Sequence, residues 1–405
     1  MNVLMISPGY PAEMPRFTEG LAAVGARVLG VGDQPREALP SVARRALSAY
    51  LKTSSLWDES AVVAEVGRWL GATVLDRIEC LWEPGMLLAA RLREALGVAG
   101  LDLEQTIPFR DKERMKQVLD AAGIRTPRHA SAKTAGECRE AAERIGFPLV
   151  VKPIAGAGSA DTHRVDSGAE LEAVLLSLRH VAEVSVEEYV EGEEHTFDTI
   201  SAGGKILFHS VSWYRPKPIV GRSVEWISPQ TVCLRDVDAR ELEPGRDMGR
   251  KVLRALGFES GFTHMEWFRT PSGEAVFGEI AARPPGARSV DLMNYASDID
   301  TFRGWAEAVC CGTLSVPVTR RFNSAVIFKR AQGSGRIVRI EGMERLRAEF
   351  GDWIVSADLL PLGAPRRDWK QTLLSDGSVV VRHPDLARTL EMADRVGTDL
   401  QLYAR

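Results

Sequence analysis

From His264 to Gly286 the chain reads His-Met-Glu-Trp-Phe-Arg-Thr-Pro-Ser-Gly-Glu-Ala-Val-Phe-Gly-Glu-Ile-Ala-Ala-Arg-Pro-Pro-Gly, and this stretch constrains the fold more than any other. Two runs of strand-forming residues, Thr263–Phe268 and Ala275–Ile280, flank the turn residues Thr270-Pro271-Ser272-Gly273. That pattern predicts a β-hairpin. If Thr270 pairs with Ala275, Phe268 faces Phe277 and Glu266 faces Glu279. Side chains alternate along strands, so both carboxylates leave the same sheet face. Directly opposed partners sit roughly 5 Å apart, where like charges repel. A cation is therefore expected between them, and two carboxylates without a nearby His or Cys suit Mg²⁺ completed by phosphate oxygens.

The alternative is an ordinary exposed hairpin with both Glu solvated. The tail of the stretch argues for the first reading. Arg283 lies four residues beyond Glu279, and Pro284-Pro285-Gly286 fixes a turn immediately after it. A rigidly held arginine beside a metal-binding pair resembles a clamp for phosphate or carboxylate.

At 405 residues the chain is too long for one compact core, so two or three domains are expected. A net charge of −4 and a pI near 6.1 argue against a nucleic-acid binder. No apolar run approaches the roughly 20 residues needed to cross a membrane. Met1–Ser7 lacks the basic segment and long apolar core of a signal peptide. Cys80, Cys138, Cys233, Cys310 and Cys311 form neither an even set nor metal-ligand spacing, so buried thiols in a reducing cytoplasm are expected.

In chain order, Asn2–Ile6, a helical pattern through Phe17, Leu21 and Val24, and Arg27–Val31 open a βαβ unit. Ala61–Leu70, Thr73–Asp76 and Met86–Leu96 continue it, so residues 1–105 read as a doubly wound α/β domain. The Gly-x-Gly-x-x-Gly dinucleotide fingerprint is missing. The loops Ser7–Tyr10 and Glu79–Pro84 would border any cleft shared with later domains. Asp111 caps a helix that Gly123 ends, leaving Lys112 in its first turn, where it needs an anionic partner or solvent. Lys152 closes the apolar strand Phe147–Pro153, and a lysine there is costly to bury unpaired. Small residues follow it, including Gly156, Gly158 and Ser159, whose backbone N–H groups suit phosphate, although no Walker motif is present.

Ser185–Val190 is another strand, leading into Glu191-Gly192-Glu193-Glu194. Gly203-Gly204 turns a hairpin between Thr196–Ile200 and Lys205–Val211. Residues 212–232 read as an aromatic, loop-like segment, in which Tyr214, Arg222 and Trp226 suit an acceptor pocket and core or surface roles equally. Asp300–Val309 is helical. A last α+β unit, residues 316–405, contains strands Ser324–Phe328, Gly335–Ile340, Trp353–Leu359 and Ser378–Val381, and helices Met343–Phe350 and Leu386–Arg395.

In this order the pieces resemble the ATP-grasp superfamily over most of the chain. The resemblance implies an α/β and α+β ATP-grasp fold: a pre-domain (1–105), a catalytic core (106–315, with a small lobe at about 120–186) and a C-terminal lid-like unit. It makes Lys112 and Lys152 nucleotide lysines, and Gly156, Gly158 and Ser159 part of the mobile glycine-rich loop. Glu187, Glu188, Tyr189 and Val190 resemble the hinge strand that reads adenine, and Glu194 the acid that holds the ribose. Glu266 and Glu279 resemble the magnesium carboxylates, and Arg283 the arginine beside the transferred phosphoryl group. Ala281 stands where many relatives carry Asn, which is similar to the amino-acid and carboxylate–amine ligase branch and leaves open whether a second Mg²⁺ binds. Gly335-Arg336-Ile337 through Gly342 resembles a segment of biotin carboxylase-like lids, without any biotin-carrier sequence.

The resemblance implies ATP and Mg²⁺ as cofactors, and a ligase that phosphorylates a carboxylate to an acyl phosphate for attack by an amine, with an amino acid as one substrate. A homodimer is also implied by the family alone. His264 reads as a packing residue behind Glu266 rather than a base. The alternatives are a biotin carboxylase-like or nucleotide-precursor enzyme, and an ATP-binding module that ligates nothing.

Overall fold

A computed structural model describes residues 1–154, 161–372 and 374–405. The N-terminal sheet is parallel, in the order Leu47–Lys52, Arg27–Gly32, Asn2–Ile6, Arg77–Glu79. Both faces of Asn2–Ile6 are buried, as expected for a doubly wound sheet. Leu4 and Ile6 meet Val62, Val66, Leu88 and Leu92 on one side. Val3 and Met5 share the other side with Met14, Phe17, Phe302 and Trp305. The strand expected at Thr73–Asp76 instead lies at Arg77–Glu79, where Ile78 reaches the core. Leu47–Lys52 was not legible, because a half-exposed edge strand of mixed polarity carries little periodicity.

The central sheet is antiparallel and has nine strands. Its order is Ala275–Ala281, Gly261–Arg269, Glu193–Ala202, Ser212–Arg215, Gln230–Cys233, Asn323–Phe328, Gly377–His383, Ile354–Leu359, with Lys205–Ser210 also pairing to Glu193–Ala202. One sheet thus runs from the carboxylate hairpin into strands beyond residue 316. The segment read as a loop, 212–232, contributes the strand Ser212–Arg215, the start of the strand Gln230–Cys233 and the helix Pro218–Ser223. A three-stranded sheet pairs Gln401–Ala404 with Ile337–Glu341 and Gln332–Gly333.

The small sheet is antiparallel, in the order His129–Ala132, Val184–Glu188, Leu149–Pro153, His163–Val165. Leu149, Val151, Val184 and Val186 pack against Cys138, Ala141, Ala142, Ile145 and Leu171 from two helices. Alternation then sends Lys152, Ser185 and Glu187 to the opposite face. No helix among the described residues is long and apolar enough to cross a membrane.

Candidate functional site

Glu266 and Glu279 are cross-strand partners. The register beside the turn differs from the expectation by one residue: Arg269, not Thr270, pairs with Ala275, and Trp267 rather than Phe268 faces Phe277. A bulge on the Ala275–Ala281 strand takes up the difference at Gly278 and restores the Glu–Glu pair. A Cβ at Gly278 would lie 2.9 Å from the Glu266 carbonyl oxygen, so the bulge needs glycine.

Cations answer this acidic pair. Asp111 caps the helix Lys112–Ala121, its Oδ1 accepting from the N–H groups of Glu113 and Arg114 at 2.9 Å each. Lys112 is buried, with Nζ 3.0 Å from Glu279 Oε1. One turn on, on the same helix face, Lys116 pairs with Glu187. Lys152 Nζ lies 3.0 Å from the other oxygen of Glu187. Burial alone would raise the Glu187 carboxyl, but the two ammonium groups drive it well below the usual carboxylate range. Burial pulls Lys116 down to about 8 against the opposing pull of Glu187. Burial also works against the charge of Lys152, yet Glu187 and Glu279 hold its pKa above the ordinary value.

A second chain of contacts fixes Glu266. Asp198 Oδ1 lies 2.6 Å from His264 Nδ1, and His264 Nε2 lies 3.4 Å from Glu266 Oε1. The Tyr214 hydroxyl donates to the same oxygen at 3.1 Å. Burial would lower the His264 pKa, but Asp198 and Glu266 hold it up at about 9, so the imidazole is cationic at neutral pH. Its place between Asp198 and Glu266 sets it behind that carboxylate. Glu194 lies two residues from Thr196, the cross-strand partner of Glu266, and so emerges on the same face. Burial, and then the Glu266 charge, push its carboxyl well above the usual range, against Lys217 and Lys152.

The remaining expected residues divide. Arg283 donates to Glu83 and to the Pro284 carbonyl. Glu188 points to the other face of its strand from Glu187, where Arg125 Nη2 and the Arg128 backbone N–H donate to it at 3.1 and 3.0 Å. The Tyr189 ring lies beneath the Arg164 guanidinium and the Lys217 ammonium, at 4.2 and 4.6 Å. Lys217 Nζ also donates to the Val190 carbonyl at 3.4 Å. Gly156, Gly158 and Ser159 lie outside the described residues. Lys116, Lys217, Asp198 and Glu83 were missed. The i, i+4 spacing from Lys112 was the available signal for Lys116. Glu83 sat within a loop already assigned to the border of the cleft.

Among the described residues no group of three or more His, Cys, Asp or Glu is placed to hold a metal ion. The carboxylates that face each other across this site are Glu266 and Glu279. Two carboxylates fit a hard divalent ion whose other oxygens come from a ligand and water.

A small antiparallel sheet and a large one, with lysines and opposed carboxylates between them, define the class of fold. The particular family follows from comparison. A model of the ATP-grasp domain matches residues 109–214. The D-alanine–D-alanine ligase of Pseudomonas fluorescens is 33% identical over 244 residues, 56% of this chain and 74% of that protein. The chain belongs to the ATP-grasp family. The L-arginine-specific L-amino acid ligase of Bacillus subtilis is 30% identical over 220 residues, 52% of this chain. The chain spans about half the length of that relative, 52%. In structure, an L-amino acid ligase from Bacillus licheniformis aligns over 100% of this chain and 98% of its own with a TM-score of 0.80 at 20% identity. N5-carboxyaminoimidazole ribonucleotide synthetase from Thermotoga maritima aligns over 100% and 99%, with a TM-score of 0.73 at 18% identity. These two likenesses establish the fold.

Proposed function

We propose that the chain is an ATP-dependent ligase that activates a carboxylate, an amino acid in the leading case, as an acyl phosphate and couples it to an amine, releasing ADP and phosphate. The observation that carries this reading is the convergence of Lys112, Lys116 and Lys152 on Glu187 and Glu279, opposite Glu266. Phosphoryl transfer is mostly a matter of positioning and charge neutralisation, and that cluster has the charges for both. Glu266 and Glu279 would hold Mg²⁺, which neutralises phosphate charge when bound. Lys112 and Lys152 orient the phosphates, and Tyr189, Val190 and Glu194 border the nucleoside. Arg283 stabilises negative charge on the transferred group and then on the tetrahedral intermediate. No protein nucleophile is needed.

The test is phosphate release from Mg-ATP across a matrix of paired amino acids and simple carboxylates, with ADP and AMP resolved. ADP formed only with certain pairs is the expected result. AMP as the product would overturn the acyl-phosphate route. Nucleotide binding without substrate-stimulated hydrolysis by any pair would favour a binding module.

A further inference from the structure

A cleft of about 190 Å³ opens at the carboxyl ends of the parallel N-terminal strands, lined by Ser7, Tyr10, Asp33, Tyr50, Trp57 and Trp82 among others. In an open parallel sheet the crevice beyond those ends, where strand order reverses, is where ligands bind. Here the order reverses between Asn2–Ile6 and Arg77–Glu79. The loops that follow these two strands carry Tyr10 and Trp82. The volume is below the roughly 300–1,000 Å³ of pockets that enclose a whole small ligand, so it suits one side chain. Its chemistry is specific. Trp57 and Trp82 meet edge to face at 5.5 Å, and Tyr10 and Trp82 at 6.3 Å. Trp57 is 70% exposed and Tyr10 57% exposed, so large rings are left facing solvent around the opening. Asp33 is the one charged lining residue among the described residues, and no Lys, Arg or His lines the cleft. The Tyr50 hydroxyl donates to the Gln34 carbonyl at 2.8 Å, so its proton is already committed.

Aromatic faces attract cations through their negative quadrupole, and a carboxylate beside them adds a directional partner. A neutral aromatic guest would make no use of Asp33, whereas a cationic one pairs with it. We propose that this cleft takes the cationic side chain of a substrate, a guanidinium or alkylammonium group set against the rings and paired with Asp33. The proposal rests on the ligase reading, since it makes the cleft a side-chain subsite for one of the two coupled molecules. Continuity supports this. Trp82 directly precedes Glu83, the carboxylate that grips Arg283, so the cleft wall and the reacting region share one loop.

The experiment follows tryptophan fluorescence while the full chain, without nucleotide, is titrated with L-argininamide, L-citrullinamide and L-phenylalaninamide. The expected result is saturable binding of argininamide, about tenfold tighter than the neutral ureido isostere or the aromatic amide. Asp33→Asn and Trp57→Ala, both at exposed positions, should each weaken it by about tenfold. Equal affinity for phenylalaninamide, no effect of Asp33→Asn, or no saturable signal would each overturn the proposal. Substrate-dependent ADP release from the same preparation separates the two readings. Release with a flat titration overturns only the cleft. Specific binding without release from any pair supports the cleft and overturns the ligase.

Discussion

Arg283 directs Nε and Nη2 at a single oxygen of Glu83, 2.8 and 2.6 Å away, across 200 residues of sequence. The other Glu83 oxygen pairs with Arg110, so one buried carboxylate serves two guanidinium groups. Glu83 thereby holds the Arg283 guanidinium by its Nε and Nη2 edge.

Arg283→Ala should lower substrate-dependent ADP release by roughly 10²-fold or more, as for loss of a transition-state donor. ATP affinity should change less. Glu83→Ala should cause a loss of similar size by releasing the guanidinium, and the double variant should be little worse than either single one, because the residues act as a unit. A double-mutant cycle on kcat/KM reads this directly. Fully additive losses would mean that Glu83 does not position Arg283.

Glu279→Ala removes one of the two carboxylates together with its ion pair to Lys112. Turnover should vanish, and activity within a few-fold of wild type would exclude Glu279 as a cation ligand. Gly278→Ala is a subtler test of the same geometry. Its Cβ would press on the Glu266 carbonyl and shift one carboxylate against the other. Overpacking of this kind costs about 1–3 kcal/mol. We expect both a lower Tm and a loss of turnover larger than that Tm change explains at the assay temperature.

The hairpin shows what a sequence can and cannot reveal. Period-two alternation from Thr270 opposite Ala275 puts Glu266 opposite Glu279, and the pair stands in the structure because the bulge at Gly278 offsets the one-residue difference in register beside the turn. The bulge at Gly278 was invisible, since a glycine inside a strand pattern does not say how its partner register moves. Lys112 and Lys152 stood out because each breaks a local expectation, one at a helix N-terminus and one at the end of an apolar run. Lys116 breaks none: a lysine inside a polar helix looks solvated until a strand 71 residues on supplies Glu187. Glu83 and Asp198 depend on contacts between separate elements, as does the joining of strands beyond residue 316 to the hairpin sheet. Strand order in a large antiparallel sheet is a tertiary property, and no local pattern encodes it.

The Lys116–Glu187–Lys152 cluster carries a net charge of +1 when fully ionised, and that surplus faces the carboxylate pair. Lys116→Met cancels it, and the weakened site should bind ATP about tenfold less tightly. It also leaves Glu187 short of a partner, and breaking a buried pair costs about 3–5 kcal/mol. Lys116→Met combined with Glu187→Gln restores the +1 carried by Lys152. Affinity and Tm should then both recover part of what the single variant lost. Nucleotide titration and thermal unfolding of the three proteins check this. Failure of the double variant to recover affinity would show that Lys116 acts through something other than charge.

Lys329 tests burial away from the site. It is 2% exposed, and its ammonium donates to Ser228 Oγ at 2.9 Å and to the Gly397 carbonyl at 2.6 Å, near the end of the helix Leu386–Asp399. Burial pulls its pKa from 10.5 down to about 8 in the folded chain. Between those two values the unfolded chain holds the proton and the folded chain does not, so unfolding takes up a proton and stability rises with pH. The cost of burying the charge is therefore present in full below about 8 and is relieved as pH climbs toward 10.5. Other groups titrate in the same window, so the informative quantity is the difference between wild type and Lys329→Met. Denaturant unfolding at pH 7, 8, 9 and 10 should show wild type gaining on the variant by about 2–3 kcal/mol across the window. At pH 7 the variant escapes the charge penalty but loses the hydrogen bond to the Gly397 carbonyl, leaving that oxygen the Ser228 hydroxyl at 3.3 Å, so the two effects oppose and the difference there is small. A constant difference at all four pH values would mean that Lys329 keeps its proton throughout, stabilised by the helix-end carbonyls.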